Sequence, residues 1–100
     1  MAVGDQGNVW RLFENETVNG TSIEATLVNQ TGNNYINVIG TLNGTVTFET
    51  NASGSWIPIT GGVISAQGQS VLAGSASSRA IRAVLAGAGP HNVTVEVTKQ

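Results

Sequence analysis

The single histidine, His91, is the residue best suited to acid–base chemistry, and it stands in the segment Gly-Pro-His-Asn. Nucleophilic catalysis needs a serine, threonine or cysteine within hydrogen-bond reach of such a base. A turn segment favours a surface position for His91 instead. One histidine without any cysteine also offers too few ligands for a zinc site. The sequence therefore predicts neither a nucleophilic active site nor a metal centre.

Carboxylates are the other candidates for chemistry, because a pair held in a cleft can catalyse glycoside hydrolysis. Glu24, Glu49 and Glu96 each alternate with apolar residues, which predicts exposed positions on the polar face of a strand. No glycine-rich segment opens a helix after a strand, as phosphate-binding motifs require. We expect no enzymatic activity and no cofactor. The six acidic residues are Asp5, Glu14, Glu16, Glu24, Glu49 and Glu96.

Six Asn-x-Ser/Thr sequences could accept glycans in a secreted protein. A turn asparagine followed by a strand threonine generates the same pattern, and we interpret these sequences as structural. They begin at Asn15, Asn19, Asn29, Asn43, Asn51 and Asn92.

The composition is low in charge, with 10% charged residues against about 25% in ordinary domains. The four basic residues form no patch, so no nucleic-acid partner is expected. No segment has the roughly 20 apolar residues of a membrane span, and the N-terminus lacks the pattern of a signal peptide, which predicts synthesis in the cytoplasm. Low charge suits a chain that works within an assembly, although many all-β domains share it.

Turn signals recur every eight to twelve residues, which is typical of a β-sandwich or barrel. We predict one antiparallel β-sandwich of about seven or eight strands, jelly-roll-like or immunoglobulin-like, over residues 9–100. Residues 1–8 are predicted to form a flexible arm. Asn43-Gly44 predicts a type I′ hairpin turn with positive φ at both residues. Residues 77–86 fit a capped helix or a strand; strand is favoured because the segment leads through a glycine-rich turn into the last strand.

Alternating apolar residues predict the buried face of the sandwich. Trp56, which follows the Ser53-Gly54 turn, is assigned to this core in preference to a ligand contact or a subunit interface. The predicted core signature is Val46, Phe48, Trp56, Ile81, Leu85, Val93 and Val95.

The first strand segment carries large apolar residues on both of its faces. Alternation places Trp10 and Leu12 on one face and Val9, Arg11 and Phe13 on the other. Because aromatic anchors are enriched at interfaces, one face could contact another subunit. The predicted interface candidates are Val9, Trp10, Leu12 and Phe13.

Two segments, GTLNGTVTFETNASGSWIPITGG and SSRAIRAVLAGAGPHNVTVEV, resemble a β-sandwich module of tailed-bacteriophage virion proteins. In that module G-T-V-x-F/L-E leads through an S-x-D-G turn to a tryptophan strand, and an R-x-x-R-V strand precedes a closing V-T-V strand. The matching positions are residues 44–49, 53–54, 56–59, 80–85 and 93–97, within about 55 residues of the chain. The aspartate usual before the turn glycine is absent, since Ser53 precedes Gly54.

The resemblance implies a structural virion protein, and the small size favours a capsid decoration (cement) protein on the outer surface of the capsid. Such a protein docks on the lattice of major capsid protein, commonly as a trimer. Residues 1–13 are expected to reach over a capsid subunit or a neighbouring protomer, with Trp10 and Phe13 as anchors. The alternative is a tail or head-fibre component that binds carbohydrate or a receptor through an aromatic platform.

Overall fold

The structure is a computed structural model that describes residues 3–26, 34–72 and 80–98. These residues form ten β-strands and no helix. The strands are β1 (Gly4–Asp5), β2 (Val9–Glu16), β3 (Gly20–Thr21), β4 (Ala25–Thr26), β5 (Asn34–Thr41), β6 (Thr45–Ala52), β7 (Ser55–Ile64), β8 (Gly68–Leu72), β9 (Ala80–Ala86) and β10 (Asn92–Thr98).

The strands form two antiparallel sheets, which confirms the predicted all-β class. Sheet 1 has the order β1-β2-β10-β5-β8, and sheet 2 has β3-β9-β6-β7, with β4 also paired to β9. Since β3 and β4 both pair with β9, they act as one interrupted strand. From β2 onward the pairing is nested: β2 with β10, β3 and β4 with β9, β5 with β8, and β6 with β7. This nesting of eight strands is the arrangement of a jelly roll.

One hydrophobic cluster draws on the inward faces of both sheets. Alternation explains its membership, because every second residue of a strand points to the same face. The central strands β5, β6, β9 and β10 supply most of the cluster, and β9 confirms that residues 80–86 form a strand. Residues 77–79 lie outside the described residues. The buried members are Leu12, Phe13, Ala25, Ile36, Val38, Val46, Phe48, Ile59, Ile64, Ile81, Ala83, Leu85, Val93, Val95 and Val97.

Asn43-Gly44 connects two sheets and is not a hairpin, so the predicted type I′ turn is wrong. Neither residue has positive φ. A Cβ on Gly44 would overlap the carbonyl oxygen of Ala86, so glycine is needed here for close backbone approach. The type I′ geometry occurs instead at Ser53-Gly54, where φ is 55° and 90° in the two-residue turn between β6 and β7.

Part of the predicted N-terminal arm lies along β2. Gly4 and Asp5 pair with Arg11 and Trp10, which makes β1 the edge strand of sheet 1. The Asp5 carboxylate accepts a hydrogen bond of 2.8 Å from the Gly7 N–H and fixes the turn that follows.

Among the described residues there is no helix that is long and apolar enough to cross a membrane.

Candidate functional site

The predicted interface residues lie mainly in the core. Leu12 and Phe13 are buried, Trp10 packs against the hydrophobic cluster, and Val9 is half-buried. Leu12 and Phe13 therefore cannot contact a partner protein, and the prediction that Phe13 anchors an arm is wrong. Residues 9–13 belong to β2, which pairs with β10, so this part of the expected arm lies within the fold.

A β-bulge explains why alternation fails in β2. Phe13 lies opposite Val95 and Arg11 lies opposite Glu96, so Leu12 is an extra residue against β10. An extra residue shifts the strand by one position, and both Leu12 and Phe13 then turn inward. Arg11 remains on the outer face, where it meets Glu96.

Six of the seven predicted core residues are buried in the cluster, and Trp56 is the exception. Trp56 pairs with Asn51 on the outer face of sheet 2, the face turned away from the cluster. The two-residue turn at Ser53-Gly54 sets this register, so Trp56 cannot share the inward face of Phe48. The assignment of Trp56 to the core is therefore wrong.

Trp56 instead stacks with Arg82. The guanidinium carbon lies 4.3 Å from the ring centroid, and the Arg82 Nε donates a hydrogen bond of 2.8 Å to the Glu49 carboxylate. Cation–π stacking and the ion pair hold both long side chains against the sheet. Glu49 was expected to be an exposed residue on the polar face of its strand. It does lie on the outer face, but its carboxylate forms an ion pair with Arg82.

Replacing Arg82 with methionine is expected to lower the free energy of unfolding by about 1 kcal/mol, since a cation–π contact contributes about 0.5–1 kcal/mol at exposed sites. Methionine keeps an apolar stem over the ring and removes the charge. Urea unfolding and tryptophan emission measure the effect. Glu49→Gln is the control, because it leaves the stacking in place; an unchanged emission spectrum in Arg82→Met would contradict the stacking.

A second ion-pair cluster lies on the outer face of sheet 1. Arg11 donates to the Glu96 Oε2 from Nε at 3.0 Å and from Nη2 at 2.7 Å, and to the Glu14 Oε1 from Nη1 at 2.9 Å. These hydrogen bonds, chiefly those to Glu96, raise the pKa of Arg11 above its ordinary value. The cluster holds one cation and two carboxylates, so its net charge is negative.

This cluster lines a shallow depression of about 460 Å³. Asn15, Thr94 and Ile39 complete its wall. The Asn15 N–H donates to the Thr94 Oγ1 at 3.1 Å, and no residue that the structure describes accepts the hydroxyl proton of Thr94. Asn15 has a φ of 48° and lies at a second register shift between β2 and β10, between the pairs Phe13–Val95 and Glu16–Val93.

Large apolar side chains extend beyond the depression along the outer face of β5 and β8. Tyr35, Ile39 and Val71 are 45%, 53% and 46% exposed, and Tyr35 lies directly opposite Val71. The neighbouring Asn37 and Gln69 bond to each other at 2.9 Å. The sequence analysis did not identify this surface, because it depends on the pairing of β5 with β8, which lies about 35 residues further along the chain.

His91 is buried, so its predicted surface position is wrong. Its Nδ1 accepts a hydrogen bond from the Asn43 N–H at 3.2 Å, and its Nε2 lies 3.0 Å from the Asn19 Oδ1. Accepting at Nδ1 requires that Nε2 carry the proton and donate it to Asn19. The Asn43 amide donates to the Pro90 carbonyl at 2.7 Å. His91 thus links three connections between strands, those of β2 to β3, β5 to β6 and β9 to β10. Both of its ring nitrogens are hydrogen-bonded, so neither is free to serve as a base.

Two further features concern binding and modification. No group of three or more metal-ligating side chains occurs within residues 3–26, 34–72 and 80–98. Three of the sequon asparagines make structural hydrogen bonds: Asn19 to Gly87, Asn43 to Pro90, and Asn51 to Gly54. These bonds support the structural interpretation of the sequons, while Asn29 lies outside the described residues.

Comparisons of the chain with protein-family models, with curated proteins and with solved structures found no match.

Proposed function

We propose that the protein is a structural virion protein of a tailed bacteriophage, a capsid decoration protein that docks on assembled major capsid protein. The observation that carries this proposal is the outer face of sheet 1. That face exposes Tyr35, Ile39 and Val71, and its described charged side chains bond to one another. Such a face can be covered by a protein with little loss of charge hydration.

Stabilisation of a shell by this protein follows from mass action. A ligand that binds only the assembled state stabilises it by RT ln(1 + [L]/Kd), and the effect is repeated at every lattice site. No catalytic group is needed for this role, which agrees with a histidine that is fully hydrogen-bonded. The resemblance to virion modules supports the same assignment, with a trimer as the expected oligomer on the outer surface of the capsid.

The copy number in purified virions tests the proposal. Particles of the phage that encodes the chain are expected to contain hundreds of copies. The reason is that the copy number of a protein bound at every lattice site increases with the number of capsid subunits. Quantitative mass spectrometry against the major capsid protein measures the ratio. A handful of copies per particle would place the chain in the tail, and absence from particles would remove the virion assignment.

A glycan-binding module is the second candidate, favoured by one observation. Tyr35 is exposed on the same face as the depression, whereas Trp56 lies against Arg82 and Trp10 packs on the core. One exposed tyrosine provides a small platform for a sugar ring. Binding on a glycan array that Tyr35→Ala abolishes would favour this candidate over decoration.

A further inference from the structure

We infer that the outer face of sheet 1 docks on a protein surface that presents an arginine or lysine side chain beside an apolar one, with the basic group entering the depression at Glu14 and Glu96. This inference rests on the proposed function, since it names the chemistry of the capsid surface that the protein would recognise. It concerns residues of β2, β5 and β10 that the sequence analysis did not select as an interface.

The two carboxylates retain unused acceptors. Arg11 occupies Oε1 of Glu14 and Oε2 of Glu96, while Glu14 Oε2 and Glu96 Oε1 accept no hydrogen bond from any residue that the structure describes. A carboxylate can accept from several donors at once. A second guanidinium or an ammonium group can therefore bind at the depression without displacing Arg11.

The charge of the cluster favours a cation. Side-chain exposure is 7% for Arg11, 22% for Glu14 and 14% for Glu96, so the excess negative charge is held where water has limited access. An opposite charge is attracted more strongly there than at a fully hydrated surface. Phosphate groups are repelled by the same charge, which argues against nucleic acid at this face.

The wall of the depression suits the stem of a basic side chain. Ile39 forms one side and is exposed, and lysine and arginine pack their methylene groups on such apolar surface while the charged end reaches polar groups. Tyr35 and Val71 continue the apolar surface along the same face. A metal ion would use the carboxylates but not this apolar surface. A basic protein side chain would contact both the carboxylates and the apolar wall, and it therefore fits the depression better.

The first test uses a small probe and no capsid. N-acetyl-arginine amide, titrated into the ¹⁵N-labelled protein, is expected to shift the amide signals of Asn15, Ile39 and Thr94 with a Kd on the order of 1 mM. N-acetyl-citrulline amide, which has the same shape and no charge, is the matched ligand control. Equal shifts with both ligands, or none with arginine, would overturn the inference.

Two substitutions make the same test specific to the site. Glu14→Gln is expected to weaken arginine binding about tenfold, and Glu49→Gln on sheet 2 is expected to leave it unchanged; a tenfold change corresponds to about 1.4 kcal/mol. Both replacements are isosteric and retain an oxygen for the paired arginine. Thermal unfolding confirms that each variant is folded. Equal weakening by both substitutions would place the probe elsewhere.

The second test uses phage particles stripped of the protein. Wild-type protein is expected to rebind, Glu14→Gln and Tyr35→Ser about tenfold more weakly, and Glu49→Gln normally. If the wild type rebinds and all variants match it, docking uses another face and only this inference fails. If the wild type is not a particle protein, the proposed function fails, and the arginine titration still decides whether the depression binds a basic group. Displacement of the arginine probe by Mg²⁺ alone at equal concentration would assign the depression to a metal ion instead.

Discussion

Replacing Phe48 with alanine is expected to lower the free energy of unfolding by about 3–5 kcal/mol, because it removes a large buried side chain and leaves a cavity. Phe48 is fully buried in the hydrophobic cluster, on β6, and lies opposite Ala83 of β9. A fall of this size is a large part of the roughly 5–15 kcal/mol that holds a domain together. Urea unfolding followed by circular dichroism measures it.

Thr47→Ala is the matched control for Phe48→Ala. Thr47 is the preceding residue of the same strand and points to the outer face of sheet 2 opposite Val63. Its replacement is expected to cost less than about 1 kcal/mol, since the change affects only β-propensity and surface packing. Similar losses for the two variants would mean that β6 does not turn Phe48 toward the cluster.

Replacing Gly40 with alanine is expected to prevent folding or to destabilise the protein by more than about 3 kcal/mol, because strain and overlap act together. The φ of Gly40 is 102°, a region that residues with a side chain rarely adopt. A Cβ there would also overlap the Asn92 carbonyl oxygen, at the pairing between β5 and β10. Soluble yield and the urea midpoint measure the effect.

Gly54→Ala separates the two causes. Gly54 has a φ of 90°, and no atom lies within 4 Å of the position that a Cβ would take. Only conformational strain remains, and the expected loss is about 1–2 kcal/mol. If the two glycine variants are equally stable, the close approach between β5 and β10 does not contribute to the effect.

Local patterns in the sequence were enough to predict the strands that are buried on one face. Val93 and Val95 in β10 and Val46 and Phe48 in β6 point inward as alternation requires. The same rule favoured a strand for residues 80–86, where Ile81 and Leu85 are buried on one face. In these segments no extra residue interrupts the period of two, so the face of each residue follows from its position.

Features that depend on partners distant in the chain were not predictable. The bulge at Leu12 arises because β2 has one residue more than β10 between the pairs Phe13–Val95 and Arg11–Glu96. This extra residue is defined by the pairing of both strands, so the sequence of β2 alone does not predict it. Asn43-Gly44 has the composition of a hairpin turn, but it joins β5 of sheet 1 to β6 of sheet 2, and Ala86 closely approaches Gly44 there. Arg11 and Glu96 are 85 residues apart, so their ion pair appears only when the register is known.

The position of β10 has a consequence for how the protein is made. This last strand lies between β2 and β5 in the middle of sheet 1, with Val93, Val95 and Val97 in the core. During synthesis, β2 and β5 leave the ribosome long before β10, so the edge of each strand that pairs with β10 is unpaired at first. Exposed edges of this kind invite association between nascent chains. We expect accumulation of the protein in cells to depend on translation speed and on chaperones that cover these edges until β10 inserts.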